Sequence, residues 1–333
     1  MPISAGERST VGLHAPARRH RALAMVCLLL AWAAAGPAAA GRGTGHLRTV
    51  FIIVFENASW HDIKGNPDAP YLNHDLLAKA SHAEAYTGAR RGTLHPSLPN
   101  YIWLEAGDNL GIEDDDPPRA HHLATEQHLV TLLERAGVSW RSYQQGIRGD
   151  RCPLKARGHY RPKHNPMIYF DDVSDGNNPR ARRCIRHVRP LRELTDHLAR
   201  DQVARYNFIV PDQCHDMHSP CAPLGNRIEQ GDAWLQEWVP RIMKSKAYRQ
   251  GGAIFITWDE AWRSVPYCMR ADCPIGMIVL SPLAKGHGYS NEVPYDHSST
   301  LKTLQEIFGV TPLLRAAGDP GTRDLRDLFV RFP

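Results

Sequence analysis

The 333-residue sequence lacks several patterns that would assign it to a common class of protein. No two cysteines are spaced as Cys-x-x-Cys, which argues against a zinc ribbon and a thioredoxin-like redox site. No serine lies in a Gly-x-Ser-x-Gly motif, the turn that presents the nucleophile of an α/β-hydrolase. There is no internal repeat, and beyond residue 40 no apolar run is long enough to cross a bilayer.

The sequence also has little excess charge of either sign. Lys and Arg number 40 against 35 Asp and Glu, for a formal net charge of +5, and residues 1–40 carry +3 of that total. The +2 that remains gives no reason to expect nucleic-acid binding. With 42% hydrophobic and 23% charged residues, the composition suits a globular protein with one large α/β domain or two smaller ones.

The first 40 residues have the pattern of a secretory signal peptide, ahead of a single domain that spans 41–333. A basic stretch, Arg18-Arg19-His20-Arg21, precedes about 15 apolar residues and the small residues Ala38-Ala39-Ala40. A transmembrane anchor is the alternative, but this run is shorter than the ~20 residues that span a bilayer. We therefore predict a secreted or periplasmic protein without a stable membrane span.

Six cysteines follow this leader, and an even number in an exported protein indicates disulfide bonds. Proximity along the chain favours the pairs Cys214–Cys221 and Cys268–Cys273, which leaves Cys152–Cys184. The last pair lies within a segment, 146–192, that is rich in Arg, Lys and His and poor in apolar runs. We predict that this segment is an inserted, disulfide-tied excursion over the functional site, with a solvated basic loop as the alternative.

Buried-strand and amphipathic-helix patterns alternate along the chain. Runs of β-branched and aromatic residues predict strands at 49–55, 206–210, 252–258 and 276–280. Helical periodicity predicts helices at 72–79, 123–136, 232–243 and 298–308. This order indicates an α/β fold, with a mostly parallel central sheet and helices on both of its faces.

Acidic and amide side chains follow three of the predicted strands, and the carboxyl ends of parallel strands are where such sheets bind ligands. Carboxylate and amide oxygens suit a hard divalent cation, and burying acidic pairs without one would be costly. We predict a divalent metal ion of the Ca, Mg, Mn or Zn class. Its predicted ligands are Glu56, Asn57, Asp259 and Glu260, with Ser97 as a further ligand.

Ser97 lies between Pro96 and Pro99, with His95 two residues before it and Asn100 three residues after it. Because Pro99 suits the first turn of a helix, Ser97 should lie at a helix N-terminus, where free N–H groups favour an anion. A helix cap is the plain alternative role for this hydroxyl. A neighbouring metal ion would instead lower the pKa of Ser97 and make it a nucleophile suited to a phosphate ester.

Other polar residues could complete such a site. Asp216, His218 and His297 could bind a second metal ion, or contact the phosphate and protonate the leaving group. Lys163 and His164, within the basic segment, could reach an anionic substrate.

Motifs from about residue 49 to residue 329 occur in an order typical of one known family. They include Phe55-Glu56-Asn57, Gly65-Asn66-Pro67-Asp68-Ala69-Pro70-Tyr71-Leu72-Asn73, His95-Pro96-Ser97-Leu98-Pro99-Asn100-Tyr101, Lys163-His164-Asn165-Pro166, Thr257-Trp258-Asp259-Glu260 and Tyr295-Asp296-His297. This series resembles the bacterial phosphoesterase family, which contains secreted acid phosphatases and phospholipases C and belongs to the alkaline-phosphatase-like superfamily.

The resemblance implies an alkaline-phosphatase-like fold and a role for each matching residue. Ser97 would form a phospho-enzyme, and Asn100 would bind a phosphoryl oxygen. The phosphate and leaving-group side would be lined by His95, His164, Asp216, His218 and His297, although Asp212 is an alternative to Asp216 as the coordinating acid. Sulfatase activity is disfavoured because Tyr101 stands where sulfatases need arginine.

Together these observations predict an exported, metal-dependent phosphomonoesterase of the acid phosphatase type. Its substrate would be a phosphate monoester or a phospholipid, with phosphoinositides among the candidates. A phospholipase C or other phosphodiesterase is the first alternative. A non-catalytic, metal-dependent binding module is the second.

Overall fold

A sheet of eight strands forms the centre of the computed structural model, which describes residues 46–262 and 273–332. The strands are β1 (Thr49–Phe55), β2 (Ser81–Ala83), β3 (Trp140–Gln144), β4 (Val188–Pro190), β5 (Tyr206–Val210), β6 (Gly252–Trp258), β7 (Met277–Leu280) and β8 (Ser290–Asn291). Their spatial order is β4-β3-β5-β1-β6-β7-β2-β8. Only β7 runs antiparallel to its described neighbours, so the predicted α/β fold with a mostly parallel sheet is confirmed.

The three central strands are buried along their whole length. β1 pairs in parallel with β5 on one side and with β6 on the other. Their continuous apolar sequences fit this position, because helices cover both faces of the sheet and leave no strand face in solvent. The predicted bounds of all three strands agree with the structure.

Helices connect and cover the strands. Within the described ranges they are α1 (Trp60–Ile63), α2 (Leu77–Lys79), α3 (Ala89–Gly92), α4 (Ser97–Ala106), α5 (Leu129–Arg135), α6 (Asp171–Ser174), α7 (Arg182–His187), α8 (Glu193–Ala199), α9 (Arg227–Lys244), α10 (Lys246–Arg249) and α11 (His297–Phe308). A π-helical segment, Tyr71–Leu76, leads into α2. The single turn α3 has left-handed backbone at Arg90 and Arg91.

The helices predicted at 232–243 and 298–308 lie where expected, and a side chain caps the N-terminus of each. α9 begins five residues early because the Asn226 side chain accepts hydrogen bonds from Ile228 N and Glu229 N. The helix predicted at 123–136 begins only at Leu129. Leu123 is instead extended, because its backbone exchanges hydrogen bonds with Tyr169 O and Asp171 N.

The basic segment 146–192 also forms part of the central sheet. Its last part supplies β4, which pairs in parallel with β3 at the edge of the sheet. The Cys152–Cys184 disulfide ties its two ends, and Cys214–Cys221 forms the second predicted bond. The third predicted pair includes Cys268, which lies outside the described residues, as does the predicted signal peptide at 1–40. Between 46 and 332, leaving out 263–272, no helix has the length and apolarity needed to span a membrane.

The two disulfides should differ in their contribution to stability, because a cross-link restricts the unfolded chain more when it closes a longer loop. Cys152–Cys184 joins residues 32 apart, and Cys214–Cys221 joins residues 7 apart. We expect C152S/C184S to lower the free energy of unfolding by about 3–4 kcal/mol, about 1 kcal/mol more than C214S/C221S. Urea titration of both variants measures the difference, and equal losses would contradict this account.

Candidate active site

The ends of the three central strands place four carboxylates together, and we call Glu56, Asp216, Asp259 and Glu260 the acidic cluster. Glu56 follows β1, Asp216 lies in the turn after β5, and Asp259 and Glu260 follow β6. Backbone contacts join these turns, since Glu56 N donates to Asp216 O at 2.8 Å and Asn57 N donates to Asp259 Oδ1 at 3.0 Å. The cluster therefore sits at the predicted carboxyl edge of the sheet.

Asp216, and not Asp212, is the acid that faces this cluster. Asp216 is fully buried, and burial together with the charge of Glu56 raises its pKa well above the ordinary value. The Asp212 carboxylate instead accepts from Cys214 N at 3.2 Å and pairs with His215 Nδ1 at 2.7 Å. The structure therefore distinguishes two acids that are alternatives at the level of sequence.

Burial of the acidic cluster is nearly complete, since Glu56, Asp216 and Asp259 are 0% exposed and Glu260 is 4% exposed. Burial raises the pKa of Asp259, and the charges of Glu56 and Glu260 raise it further. Burial also acts to raise the pKa of Glu56, but His164 and Lys163 outweigh it and hold that pKa below its usual range. Ionised carboxylates so close together need a compensating positive charge.

Five buried oxygens in and beside the cluster have no hydrogen-bond partner within the described part of the chain. They are Glu56 Oε1 and Oε2, Asn57 Oδ1, Asp216 Oδ2 and Asp259 Oδ2. Unpaired buried polar atoms are rare in folded proteins, so five in one place indicate a missing partner. An all-oxygen donor set suits a hard divalent cation, and these residues therefore fit the predicted metal ion.

Glu260, a predicted metal ligand, has both carboxylate oxygens engaged by protein donors. Its Oε1 accepts from Asn57 Nδ2 at 3.2 Å. Its Oε2 pairs closely with His95 Nδ1 and lies 3.4 Å from Asn100 Nδ2. Asp216, predicted to bind either a second metal ion or the phosphate, has an unpartnered oxygen and is therefore the better placed of these two acids to contact a metal ion.

Ser97 is the first residue of α4 and is 2% exposed. Its Oγ accepts a hydrogen bond from Lys163 Nζ at 3.2 Å. A hydrogen bond with Ser97 opposes, without reversing, the rise that burial causes in the pKa of Asp259. The Ser97 side chain makes no cap hydrogen bond to α4; Asp115 Oδ1 accepts from Leu98 N at 3.0 Å instead. The hydroxyl thus stands between an ammonium group and the acidic cluster.

Asp115 and Tyr101 are neighbours of this hydroxyl that sequence reasoning missed. Asp115 Oδ2 accepts from Lys163 Nζ at 2.8 Å, so one carboxylate both caps α4 and positions the lysine. Asp115 is the middle residue of the run Asp114-Asp115-Asp116, which has the pattern of an exposed loop. No local sequence signal distinguishes it from the other two aspartates. The buried Tyr101 hydroxyl has no hydrogen-bond partner among the described residues, and its ring stacks on His164 with centroids 5.2 Å apart.

Lys163 and His164, predicted to reach an anionic substrate, bring the basic segment to the acidic cluster. Burial acts to lower the pKa of Lys163, but the charges of Glu56 and Asp115 raise it above its usual range and keep the ammonium charged. Lys163 Nζ is 3.8 Å from Glu56 Oε1. His164 Nε2 approaches the same oxygen at 2.6 Å, without the alignment of a hydrogen bond.

The two predicted catalytic histidines, His218 and His297, lie in different environments. His218 is half-buried at the edge of the cluster, with Nε2 3.9 Å from Glu56 Oε2. His297 is fully buried, with Nε2 2.6 Å from Asp259 O and Nδ1 2.9 Å from Tyr86 Oη. Burial lowers the pKa of His297 to about 4, so it is neutral near pH 7 and holds the Asp259 turn in place.

Asn100 also differs from its predicted role, because its amide secures the chain that precedes Ser97. Its Nδ2 donates to Leu94 O at 2.8 Å and to Pro96 O at 3.3 Å. Its Oδ1 accepts from Ala89 N at 3.0 Å. These contacts span the left-handed turn at Arg90 and Arg91, so Asn100 stabilises a strained loop next to the hydroxyl.

Comparison with known proteins identifies the family of this chain. The sequence model of the Phosphoesterase family matches residues 71–311. A phosphatidylinositol-3-phosphatase of Mycobacterium tuberculosis is 26% identical over 316 residues, which cover 92% of this chain and 95% of that protein. A phosphate-repressible acid phosphatase of Penicillium chrysogenum is 26% identical over 228 residues, which cover 66% of this chain. The match spans only 51% of the fungal protein's length.

The fold also has relatives among solved structures. A protein of the alkaline phosphatase superfamily from Vibrio parahaemolyticus superposes with a TM-score of 0.53 at 11% sequence identity, covering 85% of this chain and 72% of that one. At that identity the similarity concerns the fold alone. The family match covers most of the chain, and the chain therefore belongs to the phosphoesterase family, with the fold of the alkaline phosphatase superfamily.

Proposed function

We propose that this protein is an exported, metal-dependent phosphomonoesterase of the acid phosphatase type that acts through a phospho-serine intermediate. The observation that carries the proposal is the environment of Ser97. Its hydroxyl lies at a helix N-terminus, 3.2 Å from the Lys163 ammonium and beside buried oxygens that have no partner in the part of the chain that the structure describes. A hydroxyl placed between an anion-binding terminus and a metal-binding cluster is suited to attack phosphorus.

The proposed reaction has two displacements at phosphorus. Ser97 Oγ forms a bond to phosphorus while the bond to the ester oxygen breaks, and the leaving alcohol takes up a proton. A water molecule then cleaves the phospho-serine and releases inorganic phosphate, which restores the hydroxyl. His218, half-buried at the edge of the cluster, is the group we assign to protonate the leaving oxygen.

The surrounding residues would bind and orient the reacting groups. A divalent cation held by Glu56, Asn57, Asp216 and Asp259 would lower the pKa of the Ser97 hydroxyl and offset phosphoryl charge. The Lys163 ammonium, fixed by Asp115, would stabilise negative charge on Ser97 Oγ and on the phosphoryl oxygens. Asn100 and His297 act as positioning residues, since they hold the Ser97 loop and the Asp259 turn.

The names of the relatives support a monoester substrate. The mycobacterial relative, matched over 95% of its length, is a phosphatidylinositol-3-phosphatase, and the fungal relative is an acid phosphatase. The two disulfides and the signal-like N-terminal sequence support export.

Comparing the hydrolysis of p-nitrophenyl phosphate with that of bis(p-nitrophenyl) phosphate tests the substrate class. Turnover of the diester alone would favour a phosphodiesterase, and turnover of neither would favour a binding module.

Replacing Ser97 by alanine should abolish catalysis without unfolding the protein. We expect kcat for p-nitrophenyl phosphate to fall by at least about 10³-fold, because the attacking atom is removed. Thr93→Ala, which removes a hydroxyl from an exposed residue of the same loop, should keep normal activity. Acid quenching followed by mass spectrometry should find phosphate on Ser97 of the wild type. Normal activity of Ser97→Ala would refute the nucleophile assignment.

Metal binding should depend on the acidic cluster. Dialysis against a chelator should abolish hydrolysis, and one of Mg²⁺, Mn²⁺, Ca²⁺ or Zn²⁺ should restore it. By calorimetric titration, Glu56→Gln should bind that ion at least about 10-fold more weakly, because it removes the charge of the carboxylate with two unpartnered oxygens. Glu292→Gln, at an exposed carboxylate, is the matched control. Unchanged affinity in Glu56→Gln would rule out this metal site.

Asp115→Ala should affect both stability and catalysis, because Asp115 caps α4 and holds Lys163. Loss of the cap should lower the free energy of unfolding by about 1 kcal/mol. Release of Lys163 should also lower kcat/KM for p-nitrophenyl phosphate. Glu113→Ala, at an exposed carboxylate two residues away, should leave the cap and Lys163 intact. Urea unfolding and steady-state kinetics measure the two effects, and equal behaviour of the two variants would contradict this role.

A further inference from the structure

A basic cleft lies next to the acidic cluster, in the segment tied by the Cys152–Cys184 disulfide. Its volume is about 1130 Å³. We define the basic cleft by its cationic lining residues, which are Arg119, Arg151, Lys155, Arg157, Arg161 and Lys163. Asp115 is the one acidic residue in its described lining, and Lys163 already pairs with it at 2.8 Å. The cleft therefore carries a large excess of positive charge.

Most of this positive charge is not neutralised within the described part of the protein. Apart from Lys163, none of the cleft cations forms an ion pair with a carboxylate there. Arg157 and Arg161 donate only to backbone carbonyls, at 3.2 Å to Gly146 O and at 2.7 Å to Gly158 O. Convergent like charges repel one another, and an anion bound between them would remove that cost.

The chain that carries these cations is held in place before any ligand binds. The disulfide joins Cys152 to Cys184, and Cys152 N donates to Pro179 O at 3.0 Å. Tyr160 Oη donates to Pro153 O at 2.8 Å. Because the backbone is fixed, binding an anion need not order a flexible loop, and this favours affinity.

The basic cleft shares Lys163 with the surroundings of the proposed nucleophile. Lys163 and Asp115 line it, and the same Lys163 Nζ lies 3.2 Å from Ser97 Oγ. A substrate with one phosphate at Ser97 could therefore extend into the cleft. Leu154, Pro162 and Tyr169 also line it, and they offer apolar surface for the carbon skeleton of such a substrate.

We propose that the basic cleft is a specificity subsite for a second phosphate group of the substrate. The inference rests on the proposed phosphomonoesterase activity and adds its substrate class, which is an ester that carries a second phosphate group. The guanidinium groups bind the phosphate that is not cleaved, because arginine matches phosphate geometry with paired N–H donors. The scissile phosphate occupies the site at Ser97.

Charge removal in the cleft tests this subsite. In R151Q/K155Q, KM for a soluble inositol bisphosphate should rise about 10-fold, equivalent to about 1.4 kcal/mol, while kcat changes little. The kinetic constants for p-nitrophenyl phosphate, which has one phosphate, should stay unchanged. R151K/K155R should recover most of the lost affinity. K244Q/R249Q, which removes two exposed cations from α9 and α10, is the matched control.

Vesicles distinguish a lipid headgroup from a free ester as the source of the second phosphate. The same variants are assayed on a phosphatidylinositol monophosphate in zwitterionic vesicles. If KM of R151Q/K155Q rises for both substrates, the subsite binds the phosphorylated ring that they share. If KM rises for the soluble ester alone, the second phosphate belongs to a free ester. A rise on vesicles alone would overturn the subsite, because the cations would then act on the membrane surface.

The same assays distinguish a failure of the subsite from a failure of the proposed function. If the wild type does not hydrolyse p-nitrophenyl phosphate, the phosphomonoesterase proposal fails. If it does, and R151Q/K155Q has a normal KM for the inositol bisphosphate, the subsite alone is refuted. Raising the salt concentration should narrow the difference between wild type and variant, since exposed charges are screened.

Discussion

Repulsion among buried carboxylates is the constraint on which the centre of this structure depends. Glu56, Asp216, Asp259 and Glu260 lie almost without solvent contact at the ends of three adjacent strands. Burial of this kind is tolerated only where positive charge or hydrogen-bond donors compensate it. Lys163 and His164 approach one side of the cluster, and His95 pairs with Glu260 on another. Several oxygens have no hydrogen-bond partner among the described residues, and these are the atoms that we propose as metal ligands.

The residues around Ser97 also lie next to this buried negative charge. Asn100 secures the loop's backbone on one side, and Asp115 caps the helix that Ser97 begins on the other. Asp115 also draws Lys163 toward the hydroxyl, so helix capping and charge placement share a single side chain. A hydroxyl held in this way would need little rearrangement to act as the proposed nucleophile, which is the advantage of a preorganised site.

Much of the fold and part of the site could be predicted from local pattern. β1, β5 and β6 are continuous apolar runs, and such runs are recognisable because strands buried on both faces need them. The grouping of Glu56, Asn57, Asp259 and Glu260 followed from a rule about parallel sheets. The start of α5 was predicted wrongly, because the contact of Leu123 with Tyr169 and Asp171 joins residues far apart in sequence.

The sequence by itself therefore determined the α/β class, favoured two of the disulfides, and predicted that Glu56, Asn57, Asp259 and Glu260 meet at the sheet edge. These features depend on periodicity, proximity and strand direction, all of which are local or follow from one topological rule. Only the tertiary structure decided which atom each side chain contacts. Asp216 rather than Asp212 faces the cluster, Asp115 holds Lys163, and the basic segment contributes both an edge strand and a cleft. Long-range packing sets these contacts, and no single stretch of sequence encodes them.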